Sequence, residues 1–559
     1  MKAPNDSLIF FLQSCTFLID VATPSGRDAE ISSTPAPLPA PTHSRPVPPS
    51  TIHKLPRELL SLIFLHYIQS DSPWTLTQVS RLWRTVTFST PRIWAGVRIA
   101  GWRCRKGSKT PRWSRSFEYC NSVPRLQSAL ARAGAVPLDV CLGKSDLYVP
   151  QKYNEEDYCM CKALFEECWK VVDNWRSLEI GDCWVTSTFD SADLQRRFAS
   201  LEELSICYFR SSGLYQLLAD APRLRAITLQ CVCLRPYAVL PFWSKIRSFS
   251  LVRAFLFDDH KFDAFATILE TSQSLESLQI ELRNEGHRSD WTRPHSHRPV
   301  VLPHLRSLTY RGLWAIPIVA PNLVQMEIED IRLPELLQAK HPDGAPFIEM
   351  PHLVRLSLSR TLLSDLAILR APRLKDLTLR LMEKPNTDEG LASVWSHETG
   401  EKLSNGMNLF PGLSILRLED FTASFTALCN TLECLSPQLY QLHFKNCLLP
   451  QTFFRVFCGD SPRHSSFSTS TLPVQVSHSP PPSSPPRQTR YLCPSLESMT
   501  IVVHKTARAD KDILRPALLG FVHIRKIAGL NLNSLMVDWD ESGKREELVH
   551  QELSKSVML

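Results

Sequence analysis

Glycine is scarce in this 559-residue sequence: 19 residues, against 42 prolines. So little glycine disfavours phosphate-cradling loops and tight-turned sandwiches. Cys-x-x-Cys never occurs among the 16 cysteines, so ribbon, finger and RING-type zinc sites lack their usual first half. The cysteine spacings are irregular and the chain is long, which argues against a disulfide framework and predicts reduced thiols in cytosol or nucleus. There is no run of 18 or more apolar residues, so no membrane-spanning helix is expected. The formal net charge of +7 is too small for a chain that grips nucleic acid along its whole length. Also missing are a Gly-rich phosphate loop, His-Glu-x-x-His and Gly-x-Ser-x-Gly. Nothing in the sequence arranges a nucleophile beside its base, so neither an enzyme nor a cofactor is expected.

What is present begins with 43% hydrophobic residues, enough to bury a core in several modules or one long array. Lys2 precedes a mostly apolar stretch from Leu8 to Ile19, read as an unstructured or locally amphipathic leader rather than a signal peptide. Residues 35–49 hold seven prolines among Ala, Ser and Thr, a polyproline-type linker. Residues 1–50 are therefore expected to build no core. A Ser/Pro-rich tract over 459–490 reads as a disordered insertion inside a folded region.

The most repeated signal has the form Pro-x-Leu-x-x-Leu-x-Leu. Clear copies are Pro222-Arg-Leu224-x-x-Ile227-x-Leu229, Pro303-His-Leu305-x-x-Leu308-x-Tyr310 and Pro321-Asn-Leu323-x-x-Met326-x-Ile328. Others start at Pro351, Pro372 and Pro411, and looser ones at Trp175, Leu201, Ile246, Leu275, Leu439 and Leu496. The last two apolar residues are two apart, which is strand spacing, so both face one side. The first closes a turn over that side, and the proline suits the entry to a short strand. Helix-like stretches lie between copies, such as Phe262 to Leu269. One such unit cannot bury its apolar face alone, but stacked parallel copies share a continuous core.

Most phrase starts lie 18–30 residues apart. The pattern resembles an irregular leucine-rich repeat solenoid over 171–540, with 541–559 as a tail. The fold class expected is thus α/β, with parallel strands alternating with helices. Residues between the two core positions of each strand, among them Glu179, Thr228, Glu327, Thr378 and Arg417, should face outward on the concave side. That row is mixed in charge, which favours a protein partner over a phosphate backbone.

Residues 51–97 carry a different pattern. Pro56 suits a first helical turn, and Leu59, Leu60, Ile63, Phe64 and Tyr67 follow at helical spacing. Ser70-Asp71-Ser72-Pro73 breaks the chain. Leu76, Val79, Trp83 and Val86 make a second apolar face, and Ile93 and Trp94 pack after Pro91. A helical hairpin of about 45 residues has little volume for such side chains and is marginal alone. Its leftover apolar groups should meet a partner by helix-in-groove packing.

This hairpin resembles the F-box. The matching landmarks are Leu55-Pro56 with Glu58, Ile63-Phe64, Val79-Ser80 with Trp83-Arg84, and Pro91 with Trp94, in the family's order. The closing Thr-Pro-Arg-x-Trp and the run from Leu126 to Leu142 look like F-box proteins of mushroom-forming fungi. The resemblance implies a substrate-recognition subunit of an SCF-type ubiquitin ligase. The hairpin would bind a Skp-type adaptor and, through it, a cullin scaffold, and the repeats would bind a protein target. The adaptor-contacting residues it implies are Leu55, Pro56, Leu59, Ile63, Phe64, Val79, Trp83 and Trp94, some of which would be internal core.

Residues 98–170 read as a basic loop and helical connector. The stretch 98–115 holds seven basic residues with Trp102 and Trp113 interleaved, read as a solvated loop. Cys159, Cys161 and Cys168 lack a second ligand pair at metal spacing, and His295 and His297 read as surface. Three other readings stay open: an F-box protein acting outside a ligase, an enzyme with a scattered site, and a plain repeat scaffold.

Overall fold

The computed structural model describes residues 55–68, 72–99, 122–142, 159–181, 197–207 and, between 218 and 547, the repeat strands with their flanking turns and helices. The leader and Pro-rich linker, most of the basic stretch, the Ser/Pro tract, His295 and His297 lie outside the described residues, as do the side chains of Cys159 and Cys161. The chain divides into two compact units, Met1–Thr188 and Phe189–Leu559.

In the first unit, α1 (Arg57–Tyr67) starts at Pro56, which sits at the cap with ψ 148° rather than inside the first turn. Glu58 in the first turn complements the helix dipole. Helix α2 (Pro73–Val79) is capped by the Ser72 hydroxyl, which accepts from the Trp74 N–H at 3.3 Å. Apolar spacing predicts one second helix through Leu76, Val79, Trp83 and Val86. The structure breaks it at Ser80, which is extended at φ −157°, ψ 167°. The Ser80 hydroxyl accepts from the Trp83 N–H at 3.2 Å and starts α3 (Arg81–Ser89). A 3-10 turn, Pro91–Trp94, follows.

Strand β1 (Gly96–Ile99), helix α4 (Val123–Ala133), strand β2 (Leu138–Leu142), helix α5 (Cys159–Trp169) and strand β3 (Trp175–Ile180) complete this unit. The three strands pair in parallel in the order β1-β2-β3. Their alternate residues, Val97 and Ile99, Val140 and Leu142, Leu178 and Ile180, are buried. Arg132 of α4 holds its guanidinium 5.3, 4.6 and 5.0 Å from the ring centres of Trp74, Phe88 and Trp94.

The second unit is built on β4 (Glu203–Cys207), β5 (Ala226–Gln230), β6 (Ser248–Ala254), α6 (Asp259–Thr271), β7 (Ser277–Leu282), β8 (Val300–Val301), β9 (Ser307–Arg311), β10 (Ile318–Val319) and β11 (Gln325–Glu329). It continues with β12 (Ile348–Glu349), β13 (Arg355–Ser359), β14 (Leu369–Arg370), β15 (Asp376–Arg380), β16 (Ile415–Glu419), β17 (Gln441–Lys445), β18 (Ser498–Val502), α7 (Lys511–Ile527), β19 (Ser534–Asp538) and β20 (Arg545–Glu547). Strands β4 to β7, β9, β11, β13 and β15 to β19 pair in parallel in that order, and β20 closes antiparallel on β19. The fold is α/β, a leucine-rich-repeat-like solenoid with a long parallel sheet.

Each apolar pair of the repeated phrase falls where strand spacing places it. Ile227 with Leu229, Met326 with Ile328, Leu377 with Leu379 and Leu416 with Leu418 are all buried. The proline has a different role from the one expected. The Leu224 N–H donates to the Ala221 carbonyl at 3.4 Å, Leu353 to Met350 at 3.2 Å and Leu374 to Ala371 at 3.0 Å. Pro222, Pro351 and Pro372 therefore occupy the second position of a hydrogen-bonded turn, where their fixed φ is already correct. The residue before each proline, Ala221, Met350 or Ala371, is buried too.

Among the described residues, two long helices lie between strands of the second unit. α6 follows β6, α7 precedes β19, and a four-residue helix, Arg235–Ala238, with a 3-10 turn, Pro241–Lys245, lies between β5 and β6. Between β7 and β15 the connections carry two-residue strands, which pair as β8 with β10 and β12 with β14. Strand β19, with Leu535 and Val537 buried, is a repeat the proline-led phrase misses. Buried Arg525 of α7 steadies the neighbouring repeat by donating to the carbonyls of Cys493 at 3.2 Å and Leu496 at 3.2 Å.

Candidate functional site

Helix α1 has apolar residues on two faces. Leu60 and Phe64 point inward and are fully buried, and the Phe64 ring lies 4.7 Å from that of Trp83. Trp83 is 7% exposed, and its buried indole N–H has no hydrogen-bond partner among the described residues. Trp94 is fully buried, donates its indole N–H to the Thr87 carbonyl at 2.8 Å and meets Trp74 edge-on at 4.8 Å. Phe64, Trp83 and Trp94 are therefore internal core, and of the implied contact residues these three support the surface rather than form it.

The outer face of α1 carries Leu59, 48% exposed, and Leu62, 62% exposed, three residues apart and so on one side. Leu55 and Ile63 are half-buried, and Pro56 is exposed. Val79, at the last residue of α2, is 49% exposed because Ser80 ends the helix there. Leu62 was not among the residues implied by resemblance, although its spacing from Leu59 marks the same face. Among the described residues eight large apolar side chains are exposed: Leu59, Leu62, Val79, Phe88, Val301, Tyr440, Ile524 and Ile527. The first four belong to the hairpin, so half of the exposed large apolar side chains among the described residues fall within it.

No family model matches the chain, and no curated protein matches it. Among solved structures it is similar to an internalin from Listeria monocytogenes, at 11% identity and a TM-score of 0.28, over 72% of this chain and 94% of that one. The parallel register of the strands in the chain itself, rather than this likeness, establishes the repeat architecture.

A second surface lies on the solvent face of the solenoid sheet. Residues between the core positions align in register, Thr309 with Glu327, Ser357 with Thr378, and Arg417 with His443, although Thr378, expected to face outward, is buried. Arg311 donates to Glu327 at 2.8 Å, which holds the guanidinium's pKa above its ordinary value. Arg380 sits 2.7 Å from Glu419, and Arg417 pairs with Asp376. Burial, then the Arg417 charge, push the His443 imidazole below its usual range, against the pull of Asp376 and Glu419. These opposite charges pair with one another around small hydroxyl residues. No group of three or more metal-ligating side chains occurs among the described residues. Cys168 is buried on α5.

Proposed function

We propose that the chain is an F-box-type substrate-recognition subunit of an SCF-type ubiquitin ligase, of the kind found in mushroom-forming fungi, and carries no catalytic site of its own. The observation that carries this reading is the apolar outer face of α1, with Leu59 and Leu62 exposed over a core already filled by Leu60, Phe64, Trp83 and Val86. A helix with two apolar faces in so small a hairpin is suited to lie in a partner's groove. Leu55, Pro56, Leu59, Leu62, Ile63 and Val79 contact the Skp-type adaptor, which links the chain to a cullin. The repeats act as a protein-binding scaffold and hold a target near the conjugating machinery, so the protein contributes proximity. Such a subunit works in cytosol or nucleus.

The test is recovery of endogenous partners on the tagged full chain. A Skp-type adaptor together with a cullin is expected, and both are lost with Leu59→Ala/Leu62→Ala/Val79→Ala. Adaptor without cullin supports a scaffold outside a ligase. Recovery of neither by the native chain overturns the reading.

A further inference from the structure

The edge of the solenoid sheet where the strands begin carries a groove of ≈ 880 Å³ spanning residues 222–373. Five of its lining residues are fixed cations, Arg225, Lys245, Arg247, Arg306 and Arg373, and only Glu276 is acidic. The chemistry follows from the repeat. The residue after the first Leu of each phrase lies in a continuous backbone column. The Arg247 N–H donates to the Arg225 carbonyl, Glu276 to Arg247 and Arg306 to Glu276, each at 2.8 Å. Neighbours in such a column stand about 4.8 Å apart, so Arg225 and Arg247 are adjacent like charges. Like charges placed side by side destabilise a sheet. Glu276 relieves part of this through its contact with Arg247 at 3.5 Å. Arg225, Lys245 and Arg306 have no ion-pair partner among the described residues, and all three are exposed. Beyond Arg306 the same column runs through Val324, Val354 and Lys375, and after Lys375 it continues as Ser414, Tyr440 and Glu497 without a cation.

We propose that this groove binds an acidic segment of a partner protein, rich in Asp and Glu. Guanidinium forks match carboxylates in pairs, and a row of them suits an extended anionic chain running along the edge. Nucleic acid fits less well, because the groove offers no Phe, Tyr or Trp on which bases would stack. The proposal concerns the repeats alone and stands whether or not the hairpin docks an adaptor.

A fluorescein-labelled peptide of about ten glutamates, titrated with the full chain and followed by anisotropy, tests it. Saturable binding is expected that weakens as salt rises from about 0.05 to 0.5 M. Arg225→Glu/Arg247→Glu/Arg306→Glu should weaken it by about tenfold or more, and Arg355→Glu, outside the groove, by less than about twofold. The neutral Arg225→Gln/Arg247→Gln/Arg306→Gln variant should give an intermediate loss, and it serves if the reversed chain does not fold. No binding by the native chain, or equal binding by the groove variants, overturns the proposal. So does tighter binding of an oligothymidylate of about ten nucleotides with the same sensitivity to the variants.

Discussion

The Ser80 hydroxyl accepts a hydrogen bond from the Trp83 N–H at 3.2 Å, one residue after α2 has ended at Val79. That bond decides the fate of two side chains at once. It starts α3 so that Trp83 turns inward onto Phe64, and it leaves Val79 exposed where the preceding helix stops.

Removing that cap should therefore loosen the hairpin without removing any apolar contact. Ser80→Ala is expected to cost about 1 kcal/mol, and Ser80→Asp to retain most of the stability. Hydrogen exchange of the Trp83 and Arg84 amides checks this. Unchanged protection in Ser80→Ala would mean that packing alone holds the break.

Strand endings in the solenoid offer a second prediction. Cys231, Asp330, Arg360, Asp420 and Asn446, each directly after a strand, adopt positive φ, as does Arg253 near the end of β6. The Asp330 N–H reaches the Ser359 carbonyl at 3.1 Å and that of Asn446 the Val502 carbonyl at 2.9 Å, so the left-handed residue passes each turn on to the next strand. Gly312, at φ 147°, fills the same place after β9, and a Cβ there would lie 2.8 Å from Leu282 Cβ. Gly312→Ala should destabilise the second unit by about 1–3 kcal/mol. Arg253→Gly, at φ 51°, should stabilise it by about 1 kcal/mol. Urea midpoints measure both, and a stabilising Gly312→Ala would contradict this reading of the turn.

His443 predicts a pH dependence. Its folded pKa lies below the ordinary 6.5, so the unfolded chain takes up the proton first as pH falls. The stability it contributes is full above about pH 6.5 and is lost as pH falls from there through the lowered folded value. His443→Gln should flatten the fall in thermal midpoint over that window. An identical slope in the native and substituted chains would show that His443 does not carry it.

Much of this architecture is legible in apolar spacing, because a two-residue period admits one burial pattern. The spacing puts Leu377 and Leu379 on one face, as it does Leu416 and Leu418, and the structure sets the two pairs in register. Positions set by hydrogen bonds are harder to read. Serine caps and turns look alike in sequence, so the break at Ser80 and the turn role of Pro222 emerge only with the backbone. Strand β19 keeps the same spacing at Leu532, Leu535 and Val537 without a leading proline, as the copies at Trp175 and Leu275 do. On α1 the helical period places Leu59 and Leu60 in one broad stripe. Only packing shows that Leu60 fills the core and that Leu59 and Leu62 do not. The basic edge groove is not legible in the sequence because its residues are scattered along 222–373 and meet only through the strand column.

The direct test of the docking face is a calorimetric titration of the purified full chain with a purified Skp-type adaptor, beside Leu59→Ala/Leu62→Ala/Val79→Ala. These side chains are exposed, so tryptophan emission should show the hairpin intact in the variant. Saturable one-to-one binding by the native chain, weakened about tenfold or more by the three substitutions, is the expected result. Equal affinity in the two chains, or no heat of binding from the native chain, would contradict it.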